Sequence, residues 1–150
     1  MQFIEMTGKV LAAMLSDDEM QASDLQTASK GAINALADMI QTLDDMNRDE
    51  RLALAHPLRM AIGLHAGPAV LGDLGAGQAR RPTAIGDVVN AAARLESLAK
   101  EWDAPVVASV NVLQAAGWGL EGFEPVSVEV RGKQNKIDVV RLDDPAALSS

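Results

Sequence analysis

Asn90 and Arg94 stand four residues apart in the stretch GDVVNAAARLESL. On a helix that spacing puts an amide and a guanidinium on one face, one turn apart. Near a helix start such a pair can hold an anion such as a phosphate. Arg80 and Arg81, the only adjacent basic pair in an acidic chain, mark a second place where an anion finds local positive charge. His65 is the other residue whose type suggests chemistry. Its only companion is His56 and the chain has no Cys, so it reads as a structural histidine at a strand end rather than a metal ligand. Asp73 reads as a strand-end carboxylate first and a ligand second. For Asn90 and Arg94, spacing alone favours a solvated polar face bearing a salt bridge, because surface helices ordinarily look this way.

The elements that must position these groups follow from periodicity. Arg80 to Leu98 predicts a short extended run, a tight glycine turn and an amphipathic helix that Asp87 can cap. Its solvent face carries Asn90, Arg94, Ser97 and Glu101, and its packing face Val88, Val89, Ala92, Leu95 and Ala99. Upstream, residues 2–15 predict two short strands around Thr7-Gly8. Ser23 with Gln26 fits a capping box. It opens a helix with Leu25, Ala28, Ala32, Ile33, Leu36, Ile40 and Leu43 at three- and four-residue spacing, ending near Asn47. A polar connection to Pro57 follows, with a turn of helix around Leu52. Leu58 to Leu74 predicts a hairpin broken at Ala66-Gly67-Pro68. The loop from Gly75 to Pro82 is glycine-rich but lacks both standard phosphate-binding glycine patterns. Downstream, Val106–Ala108 predicts a strand, Ser109 a cap on a short helix ending at Gly117 or Gly119, and Phe123 to Arg131 a strand with Val126, Val128 and Val130 on one face. After a turn at Gly132-Lys133, Ile137 to Leu142 is the last strand. Strand pairs interleaved with helices predict an α+β fold, an antiparallel sheet covered by helices on one face. Residues 1–142 form one domain and 143–150 a loose tail.

Composition narrows the partners. At 150 residues the chain can bury a real core. Its net charge of −8 supplies no basic stripe, which argues against nucleic acid. An anionic ligand therefore needs local positive charge or a metal. Without Cys there are no disulfides, thiolate nucleophiles or Cys-based metal sites, a pattern compatible with the cytoplasm. No apolar run approaches the ~20 residues of a membrane span, and no signal peptide opens the chain.

Three blocks, LRMAIGLHAGPAVLGDLG, TAIGDVVNAAARLE and VRGKQNKIDVVRL, resemble in order and spacing three consecutive blocks of the class III nucleotidyl cyclases, the adenylate and guanylate cyclases. The resemblance covers about residues 24 to 142, and its central block is the most specific. It implies a ferredoxin-like βαββαβ core and a dimer with each active site between two subunits. It also implies conversion of ATP or GTP to the 3′,5′-cyclic nucleotide and pyrophosphate with two divalent metals, Mg or Mn. On the matching positions, Asn90 would orient the ribose, Arg94 would stabilise charge developing on the phosphate, and Thr83 would help read the purine. A planar, always-charged donor suits an anionic transition state, and a preorganised one is typically worth roughly 3 kcal/mol.

The departures fall on the metal-binding half. The family's first metal Asp lies on an N-terminal strand, and no such segment is found, so the first strand and helix of the core are expected to be missing. The second, with a purine-binding Lys, lies in a Lys-x-x-Gly-Asp hairpin. Aligned through Phe3-Ile4, those positions are Gln2 and Met6; aligned through the Thr7-Gly8 turn, they are Ile4 and Gly8. Lys9 lies close to the turn as a weak substitute for the Lys. Without carboxylates the two-metal arrangement has no anchor. Three readings stay open: a cyclase domain weak or inactive alone that pairs as a homodimer, or as a heterodimer with a complete cyclase domain; a catalytically inactive nucleotide-binding or dimerisation module; and a truncated piece of a complete enzyme, with its first strand and helix removed. Thr83 alone does not choose ATP over GTP.

Overall fold

The computed structural model describes residues 22–67, 70–74, 81–130, 136–144 and 147, and for 22–24, 70–74 and 81–85 the backbone course alone. Apolar residues at helical spacing build α1, Ala22–Arg48. It buries Ile33, Leu36 and Ala37 and ends on a basic residue, where the helix dipole favours one. Ser23 lies inside this helix rather than capping it. Asn47 then clasps the chain ahead: its Nδ2 donates to the Leu58 carbonyl at 2.9 Å and its Oδ1 accepts from the Leu58 N–H at 2.6 Å. A 3₁₀ turn at Glu50–Leu52 fills the connection, capped by Asp49.

The main sheet contains β1 (Ile62–Leu64), β4 (Val106–Ser109), β6 (Lys136–Leu142) and β5 (Val126–Glu129), in that spatial order. β1 and β4 are parallel, with Ile62 opposite Val106 and Leu64 opposite Ala108. β4–β6 and β5–β6 are antiparallel. The sheet is therefore mixed rather than antiparallel. A parallel pair needs a crossover, which here holds the ribbon of β2 (Val70–Leu74) and β3 (Arg81–Ile85) followed by α2 (Asp87–Glu101). After β4 comes α3 (Val110–Ala115), with Ser109 at its N-cap as the sequence predicts.

Three further expectations change. β1 does not form a hairpin with the strand after it; β2 pairs instead with β3, Val70 opposite Ile85 and Leu74 opposite Arg81. The apolar run Ile62–Leu64 is buried throughout, as a strand covered on both faces should be. Helices also cover both faces of the sheet rather than one. Alternation along β4 and β6 sends Val106, Ala108, Val140 and Leu142 to a core shared with α1 and α3. Val107 and Val139 go to a second core with Leu95, Leu98 and Ala99 of α2. Val126 is 47% exposed and only Val130 of its row is buried, so β5 is a shorter, more open strand than expected. The predicted strands in residues 2–15 and the turn at Gly132-Lys133 lie outside the described residues.

Candidate functional site on α2

β3 leads into α2 through Gly86, at φ 150° and ψ 172°. This region is essentially reserved for glycine, because a Cβ would clash with the backbone. Gly86 is the N-cap, no side chain caps the helix, and Asp87 is its first helical residue, not its cap. A carboxylate in the first turn still complements the helix dipole.

The buried stripe of α2 is Val88, Ala91, Leu95, Leu98 and Ala99. Compared with the expected packing face it is turned: Ala91 and Leu98 are inside, whereas Val89 and Ala92 are half-buried. The reason is the neighbouring strand. A Cβ built on Gly63 of β1 would land on the Ala92 carbonyl oxygen and the Glu96 amide nitrogen, and 2.8 Å from the Leu95 carbonyl carbon. Strand and helix backbones therefore touch directly along Ala92–Glu96, which sets the rotation of α2 and with it the direction of its polar face.

Asn90 is exposed on that face, and its side chain has no hydrogen-bond partner among the described residues. Arg94 Nη1 donates to Glu101 Oε1 at 2.8 Å, with the two side chains 41% and 54% exposed. Glu96 pairs with Lys100 at 2.9 Å, and Ser97 Oγ donates to the Ala93 carbonyl. So α2 brings Asn90 and Arg94 to one face, but Arg94 is engaged two turns further along. Thr83 lies on β3 opposite Gly72 of β2, seven residues before Asn90; only its backbone is described. Arg80 and the Gly75–Arg80 part of its loop lie outside the described residues.

His65 is buried, its Nδ1 2.9 Å from Ser109 Oγ, which also accepts the Val112 N–H at 3.4 Å. It joins the end of β1 to the start of α3, the structural role expected. Among the described residues no group of three or more His, Asp or Glu could hold a metal ion. The described residues therefore do not fit a divalent metal beside Asn90 and Arg94. A cavity of about 210 Å³ lies at the other end of α2, between Ile40, Leu58, Arg59, Lys100 and Asp103. It is smaller than the ~300 Å³ at which ligand pockets usually begin. Sequence reasoning missed this cavity and the Gly63 contact, because both arise from pairing between distant segments.

Residues 8–141 match the family model described as the adenylate and guanylate cyclase catalytic domain. The terminal-differentiation-specific adenylate cyclase of Dictyostelium discoideum is 27% identical over 125 residues, covering 81% of this chain and 6% of that protein. Adenylate cyclase 1 of Rhizobium meliloti (strain 1021) is 32% identical over 103 residues, 68% of this chain and 15% of that protein. The chain thus spans a small part of the curated relatives it matches. The crystal structure of the guanylyl cyclase Cya2 superposes with a TM-score of 0.63 at 24% identity, covering 77% of this chain and 58% of that one, a likeness of fold.

Proposed function

We propose, since this chain belongs to the adenylate and guanylate cyclase catalytic domain family, that α2 is the nucleotide-facing element of a site completed by a second domain. Asn90 orients the ribose of ATP or GTP, and Arg94 meets the charge that develops on the α-phosphate as the 3′-oxygen attacks. Thr83, midway along β3 of the β2–β3 ribbon, contacts the purine. The single observation that carries this reading is the placement of an exposed Asn90 and a half-exposed Arg94 on one face of a helix fixed by the Gly63 contact.

The metal-binding half comes from elsewhere. With the glycine of the Lys-x-x-Gly-Asp hairpin placed on Gly8 itself, the Lys position is Glu5 and the Asp position is Lys9, both of reversed charge. This charge reversal favours a chain that is inactive alone. It acts in the cytoplasm, where its nucleotides are, as one half of a heterodimer with a complete cyclase domain. The same reversal favours a second reading, a nucleotide-binding module with no turnover in any pairing.

Mixing experiments test both. The purified chain with ATP or GTP and Mn²⁺ should form cyclic nucleotide only at background. Added to a complete cyclase domain whose own counterparts of Asn90 and Arg94 are replaced by Ala, it should restore turnover, and Arg94→Ala should lower that by about 10²-fold. Turnover by the chain alone overturns the inactive reading. Binding without restoration in any pairing leaves the module.

A further inference from the structure

Arg94 and Glu101 are seven residues apart, so their Cα atoms are separated by about 10.5 Å along the helix axis. Long side chains on a helix lean by default toward its N-terminus. Arg94 instead reaches toward the C-terminus, where Glu101 Oε1 accepts from its Nη1. Asn90 lies about 6 Å the other way along the axis. The two groups that must converge on one nucleotide are thus held apart by an ion pair on the same face.

We propose that Glu101 is a positioning residue that parks the Arg94 guanidinium away from Asn90, so that a bound nucleotide triphosphate must take Arg94 from it. This rests on the reading of α2 as the nucleotide-facing helix. Two features suit Glu101 to the part. It is the last residue of α2, where the helix dipole disfavours a negative charge. Its carboxylate therefore gains from any cation in reach, and Arg94 is the cation it holds. Both side chains are also about half exposed. Exposed pairs are weak, so a polyphosphate, with more charge than one carboxylate, displaces Glu101 readily. The device lowers nucleotide affinity by a small factor rather than blocking the site.

The test is titration of metal-free ATP into the full chain by calorimetry at low salt. Glu101→Gln should tighten binding by about two- to fivefold, the range an exposed ion pair supplies. It should not lower the melting temperature, because it removes a charge from an unfavourable helix end. In the Arg94→Ala background the gain should vanish, which separates release of Arg94 from a general effect of removing one negative charge. In the ligand-free protein, ¹⁵N relaxation of the Arg94 guanidinium should show faster rotation in Glu101→Gln. Unchanged affinity in Glu101→Gln, or a gain that persists without Arg94, overturns the proposal. Where the chain alone binds no ATP, the titration is repeated with the complete cyclase domain whose counterparts of Asn90 and Arg94 are replaced by Ala; binding absent there too, or indifferent to Arg94→Ala, overturns the functional reading beneath it instead.

Discussion

The backbone of Gly63 lies against the Ala92 carbonyl so closely that no side chain fits between them. The obstructing atoms belong to the main chain of α2, so they cannot swing aside as a flexible side chain would. Gly63→Ala must push the whole helix off the sheet. Overpacking of this kind costs about 1–3 kcal/mol and sometimes more. Chemical denaturation of the variant should show a loss in or above that range. Since α2 carries Asn90 and Arg94, nucleotide affinity should fall as well.

Gly86 fixes where α2 begins. At φ 150° and ψ 172° it occupies a region closed to residues with a Cβ. Gly86→Ala should cost about 1–3 kcal/mol in equilibrium unfolding. Gly31, which sits in α1 with open space around its missing Cβ, is the control. Gly31→Ala should stabilise by about 0.5–1 kcal/mol through helix propensity.

Ser109 does two jobs with one oxygen, capping α3 through the Val112 N–H and meeting the buried His65. Ser109→Ala removes both. Loss of the cap alone costs about 1 kcal/mol, and loss of the hydrogen bond between Ser109 Oγ and the buried His65 adds about 0.5–1.5 kcal/mol. The variant should therefore lose more than a cap mutation does. Ser109→Thr, which keeps the oxygen but must fit a methyl into a fully buried position, tests whether hydrogen bonding or volume dominates.

Asp49 is held below its ordinary value of 3.8 by the side-chain hydrogen bond from Arg51 and by the Arg51 backbone N–H. A lowered carboxyl pKa means that the folded state prefers the ionised form. Its contribution to stability is therefore present above the unfolded value and is lost as pH falls through the lower folded value. Carboxyl ¹³C titration should place Asp49 below 3.8, and Arg51→Ala should move it back up. Because the pair is exposed, the melting temperature at neutral pH should barely change.

Much of this architecture is legible in residue order, and the exceptions share a cause. The end of α1, the 3₁₀ turn, the Ser109 cap and the β6 strand follow from local periodicity and capping chemistry. The β1 strand is found at the right place but given the wrong neighbour. Its partner, Val106–Ser109, lies more than forty residues away, and nothing local distinguishes a parallel pair from half of a hairpin. The apolar run Ile62–Leu64 carried the hint, since a strand buried on both faces need not alternate. The same limit hides the site's geometry. The four-residue spacing of Asn90 and Arg94 places them on one face. Whether that face looks outward depends on Gly63, and where the guanidinium goes depends on Glu101. The solvated face with a salt bridge and the proposed nucleotide-facing site fall on the same residues.

The two apolar layers divided by the sheet each contain one of the chain's two tryptophans. Trp118 packs on the α1–α3 side and Trp102 on the α2 side. The chain has no tyrosine. Its ultraviolet emission is thus a two-channel optical reporter built into the molecule. Trp102→Phe leaves a probe in the layer away from Asn90 and Arg94, and Trp118→Phe leaves one at the foot of the helix that carries them. Comparing the two signals during unfolding or nucleotide titration distinguishes a change confined to α2 from one that crosses the sheet.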